Sequence, residues 1–508
     1  MTTGLLVLVL VGPGGPGAAG AVQPRSAPPT IDPASLLAEA VSPTPSPPNA
    51  SPSSRPVASA IPTPPGGATT GSVDGAGSSP DDQSAAASWS SPGLPPGLAA
   101  QLQARLAAIL AKYKLPGVSA TIIWPDGRMW TGASGWADVA HKIPVVSGTA
   151  FSVGSVSKTF LAALVLELVR EGRLSLDDTV RHWLPSAIHV STKVTVRELL
   201  NHTSGLYDFF ENTKIDPALL DHRSAVWTPD RALSYMKAAV CNPGTCWAYS
   251  NSNFVLLGEI VERVTGQTTT ALLRQRFFDP LGLSRTFVQG VEARKGTVAT
   301  SYKLTGTPAT RRMVSLADGT GITPFTSVVT AAGAAGDIAS SSVDLAKWAR
   351  ALYTGGVLVP QSLAQMEDTT ASVRLHAPTP YGFAFSAISL GGRLTYGHNG
   401  RLLGARASIR YLPLSGFTVA VVTNQDIVGP DVFGTALVGM AIAATTRIVP
   451  TGPAAGSTGA GSSAPPSAMP IPPLKGSSPG PTSRPTATPS LGPPPELQYL
   501  LPTPSPGP

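Results

Sequence analysis

Proline divides this chain into parts that can and cannot build a core. Its 52 prolines crowd the two ends of the 508 residues. The proline ring fixes φ and removes a backbone donor, so a proline-dense stretch runs neither a helix nor a central strand. From Val22 to Pro95 the chain is Pro, Ser, Ala, Gly and Thr with few aromatics and no helical or alternating apolar pattern, and 449–508 is similar. Such segments bury too little apolar surface to offset their ordering entropy, and both are expected to be disordered or polyproline-like. The remaining unit, 96–448, is long enough to bury a large core.

Residues 1–21 read as a secretory signal peptide. Leu5-Leu6-Val7-Leu8-Val9-Leu10-Val11 has the size of an h-region, and Ala19-Gly20-Ala21 is a small-x-small cleavage pattern. The n-region departs from that pattern, carrying no Lys or Arg. The run is too short to span a membrane, as is the apolar Phe433 to Thr446, which fits a C-terminal helix packed on a sheet. The expected location is therefore secreted or in the cell envelope. Cysteine usage agrees: the only two, Cys241 and Cys246, bracket Asn242-Pro243-Gly244-Thr245, a turn that can bring them together. In an exported protein they are disulfide candidates, placed just before Tyr249.

The net charge of +7 is modest, and Arg294-Lys295 and Arg311-Arg312 are the only basic doublets. That gives nucleic-acid binding little support and leaves the tails two readings, spacers through the envelope or contacts to it. No His-Glu-x-x-His or Cys-x-x-Cys spacing occurs, so neither a catalytic metal nor another cofactor is expected. A Gly-x-Ser-x-Gly match at Gly476-Ser477-Ser478-Pro479-Gly480 lies in the proline-rich tail without the strand and helix a nucleophile elbow requires.

Ser155-Val156-Ser157-Lys158 carries the chemistry. A serine hydroxyl needs a base within hydrogen-bond reach, and a lysine three residues on along a helix lies on the same face. The tetrad follows Phe151-Ser152-Val153-Gly154 and precedes the apolar Thr159 to Leu166, placing Ser155 at the N-terminus of a buried helix. Alone it is weak: Ser234-Tyr235-Met236-Lys237 fits the same spacing, and an N-cap serine beside a solvated lysine would look alike. Tyr249-Ser250-Asn251 and His398-Asn399-Gly400 follow in order and complete the outline of an acyl-transfer site.

With these three motifs the chain resembles the serine β-lactamase and penicillin-binding protein superfamily, nearest the branch of class C β-lactamases, D-Ala-D-Ala carboxypeptidases and related esterases. Leu199 to Leu206 (LLNHTSGL), Asp279-Pro280-Leu281-Gly282-Leu283, Ala331-Ala332-Gly333, Tyr381-Gly382-Phe383 and Tyr396-Gly397 before His398 extend the likeness over Pro96 to Ile448. The resemblance implies an α+β fold of two lobes, an antiparallel sheet with flanking helices beside a mainly helical lobe. Hairpins at Val118–Ile123 with Arg128–Trp136, and at Ala405–Leu412 with Phe417–Thr423, are compatible with it, as are helical patterns over Asn253–Val264 and Leu345–Tyr353.

The resemblance also implies roles. Ser155 is the nucleophile that forms an acyl-enzyme, Lys158 its proton partner and Tyr249, as phenolate or phenol, the second member of the relay. Asn251 holds the substrate's amide or orders Lys158. The backbone N–H groups of Ser155 and Arg401 form the oxyanion hole, and Gly400 lets substrate approach the strand. His398 stands where many relatives have a lysine that attracts a substrate carboxylate. A neutral histidine weakens that attraction unless Arg401 or Arg393 supplies the charge. The expected substrates are D-Ala-D-Ala-type or other peptidoglycan peptides, β-lactams or small esters. Two other readings are a non-hydrolytic cell-wall-peptide or penicillin-binding sensor, which is acylated by its ligand or merely docks it, and a surface protein acting through its proline-rich tails.

Overall fold

The computed structural model describes residues 89–446. The expected leader at 1–21, the Gly476–Gly480 match and nearly all of both proline-rich segments lie outside the described residues. One difference appears at the start: β1 (Trp89–Ser90), inside the stretch expected to be disordered, pairs with β3 (Met129–Asp138) through Trp89–Thr131 and Ser90–Trp130. The folded chain therefore begins before residue 96.

The two ends of the described chain build one antiparallel sheet. Its order is β1, β3, β2 (Gly117–Ile123), β13 (Thr418–Thr423), β12 (Ala405–Tyr411), β11 (Arg393–Leu402) and β10 (Ser386–Leu390), with β4 (Ile143–Pro144) added to β3. β2 and β13 are buried at every position, because both faces of the sheet are covered. That is why these strands read as nearly continuous β-branched and small apolar runs. The β2–β3 turn closes with Gly127 N–H donating to Trp124 O and the Asp126 carboxylate accepting from Arg128 N–H.

Alternation divides the strand residues between two layers. Val118, Ala120, Ile122, Val419 and Val421 face α1 (Leu98–Tyr113) and the C-terminal α5 (Asp431–Thr446), meeting Leu102, Leu106, Phe433 and Leu437. Ala407, Ile409, Ala420 and Val422 face the larger core that runs into the helical lobe. That lobe holds α2 (Ser157–Arg170) and α3 (Asn251–Thr265), while α4 (Ser342–Tyr353) lies against the sheet, with Ser342 Oγ 2.8 Å from Ser119 Oγ and 2.9 Å from Thr121 Oγ1 of β2. Phe160 of α2 stacks on Trp348 of α4 with ring centroids 4.0 Å apart. A smaller sheet of β5 (Phe151–Ser152), β9 (Ile338–Ser340) and β6 (Phe287–Val288) leads directly into the site, and β7 (Tyr302–Thr305) pairs with β8 (Arg312–Ser315) in a separate hairpin. No helix among the described residues is long and apolar enough to cross a membrane.

Candidate active site

Ser155 occupies a 3₁₀ turn, Gly154–Val156, wedged between β5 and α2. Gly154 takes φ +50°, and a Cβ there would lie 2.7 Å from the carbonyl of Arg401. On the facing strand, a Cβ at Gly400 would lie 1.8 Å from Val153 O. Both glycines are therefore needed for β11 to press against the nucleophile turn, which brings the backbone of Arg401 beside Ser155.

The three expected side chains converge. Lys158, fully buried in the first turn of α2, donates to Ser155 Oγ at 2.9 Å, Asn251 Oδ1 at 2.8 Å and Ala335 O at 2.8 Å. Tyr249 O–H donates to Ser155 Oγ at 2.8 Å. Burial, opposed by the neighbouring carboxyl groups of Asp208 and Asp337, brings the lysine down to about 7, so a large fraction is neutral at physiological pH. Burial pushes the Tyr249 phenol up despite its hydrogen bond to Ser155. Of the two forms considered for Tyr249, the resting site holds the phenol.

Asn251 orders Lys158. Its amide nitrogen is committed to Asp208 Oδ2 at 2.7 Å, which leaves the oxygen for the lysine. The loop carrying Tyr249 is laced to the His202–Gly205 segment: Val240 N–H donates to Gly205 O, Gly244 N–H to Thr203 O and Ala248 N–H to His202 O. Cys241 and Cys246 are joined in a disulfide with Cα atoms 6.3 Å apart, and a Cβ at Gly205 would meet Cys241 O at 2.2 Å. His202 Nδ1 accepts from Ser250 N–H, and its ring lies 4.1 Å from that of Tyr249.

His398 differs from its expected place against substrate. It is 3% exposed, Nδ1 donates to Asn399 O at 2.6 Å, and Nε2 accepts from Tyr381 O–H at 2.8 Å. Burial, with the nearby Lys158, holds the imidazole down to about 3, so it is neutral. Neither arginine replaces it by simple geometry. Arg393 is seven residues before Gly400, about 23 Å along the strand at about 3.3 Å per residue. Arg401 alternates to the face of Asn399, whose Nδ2 donates to Asp431 at 2.9 Å on the side of the sheet away from His398. There Arg401 pairs across the ladder with Arg406. The decoy tetrad is plainly structural: Ser234 Oγ caps Arg231 O at 2.7 Å, and Lys237 lies over the Tyr207 ring.

Residues 102–442 match the family described as Beta-lactamase. This chain belongs to the β-lactamase family. Within it, the chain is 29% identical over 353 residues to penicillin-binding protein 4 of Amycolatopsis lactamdurans, covering 65% of this chain and 86% of that protein. It is 28% identical over 319 residues to the D-aminopeptidase of Brucella anthropi, covering 60% of this chain and 55% of that protein, about half its length. Among solved structures, the D-stereospecific amidohydrolase from a Streptomyces species matches at 31% identity and TM-score 0.56, over 67% of this chain and 97% of that one. The D-amino acid amidase of Ochrobactrum anthropi SV3 matches at 25% and 0.58, over 69% and 99%. The chain is thus a serine hydrolase of the β-lactamase and penicillin-binding protein superfamily. Asp208, Ala335 and Tyr381 join the site without having been assigned roles from sequence; Asp208 is 43 residues from Asn251, and no local spacing links them.

Proposed function

We propose that this β-lactamase-family hydrolase is exported and works through an acyl-enzyme on Ser155, preferring D-amino-acid amides, short D-peptides and small esters without a carboxylate beside the scissile bond. The observation that carries this reading is the Ser155 hydroxyl held between the Lys158 amine and the Tyr249 phenol. The neutral amine takes the Ser155 proton as Oγ attacks the carbonyl carbon, and the oxyanion is received by the N–H groups of Ser155 and Arg401. Tyr249 protonates the leaving nitrogen or oxygen and is reprotonated by the Lys158 ammonium. Water then repeats the sequence in reverse to release the acid.

The substrate preference follows from charge. A charge-assisted hydrogen bond contributes about 1.5–3 kcal/mol, or roughly 10–100-fold in affinity, and the buried neutral His398 offers none. The amidase relative agrees, because an amino acid amide carries no carboxylate on the leaving side of its scissile bond. Export rests on the leader pattern. Steady-state kinetics on D-phenylalanine amide, an N-acyl-D-Ala-D-Ala peptide and a chromogenic cephalosporin provide the test. The expected kcat/KM is highest for the amide, and a higher value for the cephalosporin or the dipeptide would overturn the preference.

A further inference from the structure

Asp208 is a buried carboxylate that the proton relay does not use. It is 8% exposed, Oδ1 accepts from Phe210 N–H at 3.1 Å, and Oδ2 accepts from Asn251 Nδ2 at 2.7 Å. An asparagine amide can sit either way round, with its oxygen or its nitrogen toward a given neighbour. An ionised carboxylate only accepts, so Asp208 admits only the NH₂ end of Asn251 and forces the oxygen toward Lys158.

The consequence reaches the nucleophile. A neutral lysine amine has two N–H donors and one lone pair. Asn251 Oδ1 and Ala335 O, each 2.8 Å away, take the two donors. The lone pair is then left for the third neighbour, the Ser155 hydroxyl at 2.9 Å. If Asn251 turned over, its NH₂ would compete for that lone pair.

We propose that Asp208 is the positioning residue of this site: through Asn251 it aims the Lys158 lone pair at Ser155 Oγ, and by its charge it sets how readily that amine is freed of its proton. The inference rests on the reading of Lys158 as proton acceptor. Other groups around the amine are neutral or differently poised. His202 and His398 are held well down by burial and by Lys158, and Tyr249 is a phenol. Asp337 is pushed up to about 8 by burial, whereas Asp208 is raised only to about 6. Near neutral pH, Asp208 is the carboxylate of the two that is mostly ionised.

The test is the pH profile of Ser155 acylation by p-nitrophenyl acetate, with intact mass reporting the adduct, in the full chain and in Asp208→Asn and Asp208→Glu. The parent rate should rise with pH as Lys158 loses its proton. Removing the anion favours the neutral amine, so in Asp208→Asn the acid limb moves to lower pH while the plateau falls on the order of tenfold, because Asn251 is no longer fixed. Asp208→Glu keeps the charge and should keep the limb. A fallen plateau with an unmoved limb in Asp208→Asn means a purely structural role and overturns the inference. Should Asp208→Asn not fold, Asn251→Asp supplies the opposite arm, since a carboxylate against the lysine must move the limb to higher pH; an unmoved limb there counts equally against it. Absence of any Ser155 adduct in the parent chain would instead remove the acyl-enzyme reading, and the inference with it.

Discussion

The hydroxyl of Tyr381 lies 2.8 Å from Nε2 of His398, and this bond fixes what the histidine can do. A carbonyl oxygen only accepts, so the contact to Asn399 O places the ring proton on Nδ1 and leaves Nε2 as the acceptor for Tyr381. His398 therefore holds Tyr381 within the aromatic group of Trp247, Tyr249 and His202 rather than attracting substrate charge.

His398→Ala should cost about 1–3 kcal/mol of stability by leaving the buried Tyr381 hydroxyl without its partner. Adding Tyr381→Phe should recover part of that loss, because both ends of the bond are then absent. Urea unfolding of the two single variants and the double variant measures the coupling, and strictly additive losses would contradict the pairing.

The pH dependence should follow Lys158. Folding brings this amine from its ordinary high value down to about 7, and the reaction needs the neutral form, so kcat/KM should rise with pH through that region. His398→Ala should leave this limb in place, since the imidazole is already neutral there. Lys158→Ala should lower kcat about 10²–10⁴-fold and abolish the limb. A limb that persists without Lys158 would assign it to another group.

Gly400→Ala should uncouple activity from stability. The added methyl meets Val153 O, so β11 must draw back from the nucleophile turn and take the Arg401 N–H with it. Loss of one oxyanion donor costs on the order of 10²–10³-fold in kcat. Near-parental kcat in a folded variant would place the oxyanion elsewhere.

Reduction of Cys241–Cys246 should affect the site more than the fold. Closing so short a loop contributes about 2 kcal/mol in the chain-entropy account. The loop is laced to residues 202–205 and carries Tyr249, so Cys241→Ser with Cys246→Ser should lower kcat while the thermal midpoint falls by only a few degrees. Calorimetry beside kinetics on the same preparation separates the two effects.

Much of this was legible in the sequence where a short period or spacing carried it. The hairpins around Asp126 and Ser415 showed in strand-turn-strand patterns, and both lie in the main sheet. Ser155 and Lys158 were readable because a helix brings residues three apart together, and the structure puts them 2.9 Å apart. Tyr249 and Asn251 needed the resemblance, since nothing local ties them to α2. Asp208 and the Ala335 carbonyl escaped both routes: one partner is remote in sequence and the other is a backbone atom with no residue-type signature. The motif placed His398 on its strand but not its hydrogen bonds. β1 was hidden because two residues show no period, and a Pro- and Ser-rich stretch surrounds them.

The most direct test of the central claim is intact mass of the protein after brief exposure to an activated short-chain ester, with Ser155→Ala alongside. The account predicts a transient acyl adduct that maps to Ser155, decays as product appears and is absent from the variant. An adduct of the same size on Ser155→Ala, or turnover that survives the substitution, would contradict it.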